Sequence, residues 1–339
     1  MAKKDKSEQE EDSVLTALDK LLSETEKKYG KGAIMNLEGE IEGIEFVSSG
    51  SLSLDEALGG GYPKGRIIEI FGDSSTGKTT LTIHAMVEAQ RQGGVVGFID
   101  AEHAFDLMYA QNLGLKISKR KFQISQPSCG EEGLEICEAM VKTGVFDLII
   151  VDSVAALTPR AEIDGEMGEA KMGLHARLMS QAMRKLTSYI SKTNTTVIFI
   201  NQTRVMLGVM FGDNTTTTGG NALKFYASQR VQTYRSGQTK SKEGDEILAN
   251  GCRCKVVKNK VSFPFKVAKF DIVFGKGIDK LKEVIDLAIE FEIIKRSGSW
   301  YAYGEVKLGQ GEGKVKDLLN DNPELLEEIT EKVKQELKN

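Results

Sequence analysis

Apolar residues recur along this 339-residue chain in two rhythms, one suited to strands and one to helices. Near-continuous apolar runs at residues 66–71, 95–100, 122–125, 147–152 and 196–201 predict strands, Leu148-Ile149-Ile150-Val151 being the plainest. Such runs suit parallel strands covered on both faces. Helical spacing fills the intervals, most clearly at 130–143 and 174–191. Three later runs, 230–235, 253–257 and 267–274, alternate more and have shorter connections, which predicts an antiparallel extension of the same sheet. Residues 43–275 are therefore expected to form an α/β core, a mixed, mainly parallel twisted sheet flanked by helices. From residue 276 the texture changes. Helices at 281–291, 315–320 and 323–337, with a short strand or hairpin at 300–303, predict a small C-terminal α/β domain over 276–339. Ahead of the core, residues 13–29 set Val14, Leu15, Leu18, Leu21 and Leu22 along one side of a helix that Gly30-Lys31-Gly32 stops. That face needs a surface, on its own domain or on a neighbouring subunit. Residues 1–42 thus read as a tail and an oligomerisation helix.

Composition narrows the class. Hydrophobic residues at 40%, charged residues at 28% and 35 glycines suit a soluble α/β enzyme. No apolar run reaches the ~18 residues of a membrane span. Residues 1–12 are charged, without the apolar segment of a secretory signal, and read as a frayed tail. A net charge of −4 gives no global field for a polyanion, so any DNA site must be a local basic patch. Cys129, Cys137, Cys252 and Cys254 lack zinc spacing. They read as reduced thiols of a cytoplasmic protein, the last two on one face of a strand.

Against that background, Gly72-Asp73-Ser74-Ser75-Thr76-Gly77-Lys78-Thr79 fits G-x-x-x-x-G-K-[ST] between an expected strand and a helix that continues from Thr80. Backbone N–H groups of such a loop wrap phosphates, and the helix N-terminus adds positive potential. Lys78 would reach the β- and γ-phosphates, and the Thr79 hydroxyl would bind Mg²⁺. The apolar strand ending in Asp152 has the form that helps hold the same ion, directly through Thr79 or through water; the plainer alternative is an acidic strand end. Glu102 follows another buried strand, at the end where open parallel sheets meet ligands. It can orient or deprotonate an attacking water, or cap a helix. Gln202 ends a third strand and either touches the γ-phosphate or caps the chain turn. Residues 203–220 then combine Met206, Leu207, Val209, Met210 and Phe211 with a Thr-rich stretch ending in Gly219-Gly220. Apolar side chains in such a loop are either buried or inserted between nucleic-acid bases. Residues 163–171 form a second candidate loop.

Together with residues 151–159, 179–186, 219–228 and 255–260, these segments make the chain resemble the bacterial RecA recombinase family over nearly its whole length. The resemblance implies a P-loop NTPase core of RecA type. It implies an ATP- and Mg²⁺-using, DNA-dependent ATPase that forms filaments on single-stranded DNA, pairs it with double-stranded DNA, exchanges strands and stimulates SOS repressor self-cleavage. It implies that Glu102 activates water, that Gln202 couples the γ-phosphate to DNA, and that residues 163–172 and 203–220 are the DNA loops. Met172 and Leu207 match wedging positions, Arg177 and Arg204 phosphate contacts, and Met210, Phe211, Gly219, Gly220 and Asn221 fall in or beside the second loop. Asp106 and Tyr109 match adenine-contacting positions. Lys258 and Lys260 match lysines that reach a neighbouring subunit's ATP, and the N-terminal helix would pack on the next protomer.

The chain also departs from that family. Asp73-Ser74 stands where Pro-Glu is usual, Ser75-Thr76 where Ser-Ser is usual, and Thr203 where Ile is usual. The first change bears on the tuning of hydrolysis rather than on binding. Leu281 replaces a Tyr expected near Gly277-Ile278-Asp279, which predicts weaker stacking on the base. Arg253, Lys255 and Arg296 keep a basic secondary DNA surface, whereas Glu312 sits where Lys is common. No long acidic tail is present, which predicts weaker restraint of DNA binding. From the residues alone, three rivals stay open: a monomeric P-loop kinase or switch, a ring-type motor on the same core, and a DNA-coating protein that binds ATP with little turnover.

Overall fold

The computed structural model describes residues 2–30, 34, 43–167, 173–205, 215–240 and 246–338. It divides into two compact units, Met1–Ile44 and Glu45–Asn339. The first holds helix α1 (Ala2–Tyr29). Its start at Ala2 corrects the expected frayed tail: Ala, Lys, Glu and Gln dominate the first twelve residues, and these are strong helix formers. Val14, Leu15, Leu18 and Leu21 of α1 are exposed.

The second unit opens with β1 (Phe46–Val47), α2 (Leu52–Leu58) and β2 (Tyr62–Pro63). The alternating core follows: β3 (Ile67–Gly72), α3 (Lys78–Arg91), β4 (Val96–Asp100), α4 (Leu107–Asn112), β5 (Phe122–Ser125), α5 (Gly130–Lys142) and β6 (Leu148–Asp152). A short 3-10 turn (Val154–Ala156) leads to α6 (Arg160–Ile163), α7 (Leu174–Thr193), β7 (Thr196–Val205), β8 (Thr215–Thr217) and α8 (Ala222–Tyr226). Then come β9 (Gln229–Lys240), β10 (Ile247–Asn259), β11 (Val267–Val273) and β12 (Gly277–Ile278). The chain ends with α9 (Lys280–Glu290), β13 (Ile294–Ser297), β14 (Trp300–Tyr303), β15 (Val306–Gln310), α10 (Glu312–Asp321) and α11 (Pro323–Lys338).

The main sheet runs β12-β11-β10-β9-β3-β7-β6-β4-β5, with β8 attached to β7. Strands β5, β4, β6, β7, β3 and β9 are mutually parallel; β10, β11 and β12 continue antiparallel. The antiparallel extension is thus one strand later than expected, because β9 pairs parallel with β3 before turning into β10. The unbroken apolar runs have their reason in two cores. Ile68, Ile70, Phe98, Leu148, Ile150, Ile198 and Ile200 pack on one face with α3. Ile67, Ile99, Ile149, Val151, Val197 and Phe199 pack on the other with α5 and α7. A third core joins α9, α10, α11 and the β13–β15 sheet. Glu283 of α9 ties that core to the main sheet's side. It accepts from Ser51 Oγ (2.5 Å), Ser53 Oγ (2.6 Å) and the Ser53 and Leu52 amides (3.0 and 3.2 Å), so a carboxylate caps the N-terminus of α2.

Candidate functional site

The site is built where β3, β4, β6 and β7 end. Gly72 closes β3, five residues turn, and Lys78 opens α3. The turn needs left-handed backbone at Ser75 (φ 57°) and Gly77 (φ 90°). A side-chain carbon on Gly77 would stand 2.4 Å from Ile272 Cδ1, so glycine also lets the loop lie against β11. Thr76 Oγ1 pairs with Thr233 Oγ1 at 2.6 Å, which fastens the loop to β9. Lys78 Nζ donates to the carbonyls of Gly72 (3.1 Å) and Asp73 (2.6 Å), holding the ammonium across the loop mouth. Burial lowers its pKa, against the pull of Asp152, Glu102 and Asp73.

Thr79 Oγ1 donates to Asp152 Oδ2 at 2.8 Å, so the two expected metal-holding groups meet. Burial pushes the Asp152 carboxyl up to about 6, with the Thr79 hydrogen bond opposing. Glu102 Oε1 accepts from the Ser153 hydroxyl and from Gln202 Nε2 (3.1 Å). Gln202 Oε1 in turn accepts from Arg204 Nη2 at 3.4 Å. Thr203 donates its hydroxyl to Asp73 Oδ1, so the nucleotide loop touches the start of the 203–220 segment directly. Lys78, Thr79, Glu102, Asp152 and Gln202 border a cavity of about 450 Å³ that Ser74, Thr76, Tyr109, Arg235, Cys252 and Phe274 also line. Amides and an ammonium suit a polyphosphate, and the hydroxyl–carboxylate pair suits a hard divalent cation that takes its other ligands from phosphate.

Not every expected residue converges here. Asp106 caps α4, accepting from the Tyr109 amide at 2.8 Å, and is not part of the cavity wall; Tyr109 is, its hydroxyl 3.2 Å from Thr80 Oγ1. Lys258 Nζ donates to the Lys224 and Phe225 carbonyls (2.7 and 2.9 Å), and Lys260 lines a separate cavity with Phe225 and Tyr226. Within one chain neither reaches the P-loop. Leu281, where weaker stacking on the base is expected, packs on the third core, and Phe274 and Gly275 line the cavity. Arg177, Gly220 and Asn221 are exposed, and Gly219 is buried. Met172, Leu207, Met210 and Phe211 lie outside the described residues.

Other residues escape a reading of motifs. Ser153 orients Glu102. Asp100, buried, accepts from the Ala104 and Phe105 amides and from Gln126, shaping the turn that carries Glu102. Glu69 is fully buried, bonded to Arg230 Nε (2.5 Å) and Asn201 Nδ2 (2.9 Å); Asn201 also donates to the Thr218 carbonyl (3.0 Å). The only sign of that network in the sequence is a glutamate inside an apolar strand. The four cysteines are free and buried, with Cys252 and Cys254 Sγ 3.8 Å apart on one face of β10.

Comparison with known proteins adds the family. The model of the RecA N-terminal domain matches residues 16–279, and that of the RecA C-terminal domain matches residues 282–338. Protein RecA of Porphyromonas gingivalis is 54% identical over 332 residues, 97% of this chain and 96% of that protein. Protein RecA of Macrococcus caseolyticus is 55% identical over 320 residues, 94% and 90% of the two chains. The crystal structure of the RadB recombinase shares the fold, with a TM-score of 0.53 at 23% identity over 69% of this chain and 98% of that one. With both domain models matched in order and relatives 54–55% identical over nearly the whole chain, the chain belongs to the RecA family.

Proposed function

We infer that the chain is a DNA-dependent ATPase that uses ATP and Mg²⁺, assembles into filaments on single-stranded DNA, and carries out homologous pairing and strand exchange with duplex DNA. We place it in the cytoplasm, with stimulation of SOS repressor cleavage as a further role; no helix among the described residues is long and apolar enough to cross a membrane. The observation that carries the reading is the shared Glu102 oxygen. One carboxylate receives both Ser153, at the end of β6, and Gln202, on the strand that leads into the 203–220 segment. A γ-phosphate at the mouth of the loop draws on Gln202, and that draw shifts the strand carrying Thr203 and Arg204.

In the chemistry, Glu102 orients the attacking water and accepts its proton, and Lys78 leaves the loop carbonyls for the phosphate oxygens. Thr79 and Asp152 would hold Mg²⁺, which when bound neutralises phosphate charge. Lys258 and Lys260 complete the site from a neighbouring protomer, so turnover follows assembly. The test is ATP hydrolysis with and without single-stranded DNA, with imaging of the same samples. DNA-stimulated turnover with filaments is expected; neither would return the chain to the kinase or switch reading.

A further inference from the structure

Among the described residues, five buried side-chain polar atoms have no hydrogen-bond partner, and three of them gather at one place: His175 Nε2, Thr217 Oγ1 and Thr218 Oγ1. Buried polar groups are nearly always paired, so a cluster of orphans is a place where a change of arrangement can supply partners. The cluster lies where β8 runs into Gly219 and Gly220, both with left-handed backbone (φ 88° and 75°), against the first turn of α7.

His175 bonds the Val154 backbone through its ring. Burial keeps the ring below the usual histidine pKa, and Nε2 has no partner. Val154 follows Ser153, which holds Glu102. Gly219 rests on the same atoms: a side-chain carbon there would lie 3.0 Å from Val154 Cγ1, 3.1 Å from Met179 Cγ and 3.7 Å from His175 Cε1. Next to it, Gly220 sits on Ala176, whose Cβ a side-chain carbon would meet at 2.9 Å. The imidazole is thus wedged between the end of the strand that carries Asp152 and the root of the 203–220 segment. Glu102, Ser153, Val154, His175 and Gly219 form one continuous chain of contacts.

We propose that His175 is a positioning residue of the DNA-stimulated ATPase, transmitting the state of the Glu102–Ser153 pair to residues 217–220. When the nucleotide site changes, Val154 moves the ring, the glycine pair pivots, and Nε2 and the threonine hydroxyls acquire donors and acceptors from the rearranged root. This rests on the functional reading above. It is a route on the β6 side, separate from the one through Gln202.

The test compares full-length H175F, which removes both nitrogens at similar volume, with H175Q, whose amide can still donate and accept. Affinity for a single-stranded oligonucleotide is measured with a non-hydrolysable ATP analogue and with ADP, beside basal ATP turnover and KM. In H175F the preference for the ATP state should fall by about tenfold while basal turnover and KM stay within about twofold, and H175Q should restore most of the preference. An unchanged ratio in H175F, or a loss that H175Q does not restore, overturns the proposal. If H175F fails to fold, H175M takes its place in the same measurement. Unmodified protein that binds DNA equally with both nucleotides would instead sink the functional reading, which keeps the two failures apart.

Discussion

Asp73 and Thr203 are both departures from the family's usual residues, and they hydrogen-bond each other across 130 positions of sequence. Each alone reads as an unremarkable polar substitution; their pairing is legible only when β3 and β7 are known to be adjacent. An acidic side chain thus stands one residue before Ser74 and accepts from the Thr203 hydroxyl. If the pair couples ATP turnover to the DNA segment, Asp73→Ala and Thr203→Val should each cut DNA stimulation by about three- to tenfold, and the double variant should be no worse than either. Additive losses in that cycle would show two unrelated effects. At Glu102 the expectation is sharper. Glu102→Gln keeps the Ser153 and Gln202 contacts but cannot take a proton, so hydrolysis should fall by at least about 100-fold with ATP binding retained. Undiminished turnover removes Glu102 from the chemistry. Lys78, Thr79 and Asp152 are readable from sequence because their offsets are fixed by a loop and a strand end. Glu69, Arg230 and Cys252 are not, because their partners come from strands far away in sequence.

The elements carry a different kind of information. Apolar runs give the parallel strands and their order of use, but not that β9 joins β3 in parallel, since strand direction depends on a neighbour that no local pattern specifies. Nor does periodicity reveal how α3 meets β12. His84 of α3 accepts from the Ile278 amide at 2.9 Å, and burial pushes its pKa down to about 4. A depressed histidine pKa means the unfolded chain takes up a proton first. Stability is therefore full above the unfolded value of about 6.5 and is lost as pH falls toward 4, by up to about 3 kcal/mol. Asp55 acts with opposite sign: burial raises it to about 6, so its contribution is full below about 3.8 and is lost as pH rises through 6. Denaturant midpoints followed from pH 7 to 4.5 should drop less in His84→Gln than in the unmodified chain. Parallel curves would mean that His84 titrates alike in the folded and unfolded chain, and that its pKa is not depressed by burial.

At the scale of the whole molecule, one protomer holds a P-loop, Glu102 and the Thr79–Asp152 pair around one cavity, while Lys258 bonds the Lys224 and Phe225 carbonyls and Lys260 lines a separate cavity with Phe225 and Tyr226. Phe225 is 72% exposed. If, as proposed, the surface of Lys258, Lys260 and Phe225 meets the nucleotide cavity of the next protomer, the contact is head-to-tail, and contacts of that type repeat into open helices unless the rotation closes. A composite site of this kind predicts complementation. Glu102→Gln protomers and protomers carrying both Lys258→Ala and Lys260→Ala should each be nearly inactive with DNA. Mixed one to one, they should recover up to about a quarter of full turnover, the fraction of random interfaces that join an intact Glu102 to an intact lysine pair. If the lysines served their own protomer's nucleotide, the mixture would stay as inactive as its parts. Lysines with a purely structural role would leave the double-lysine variant active before any mixing.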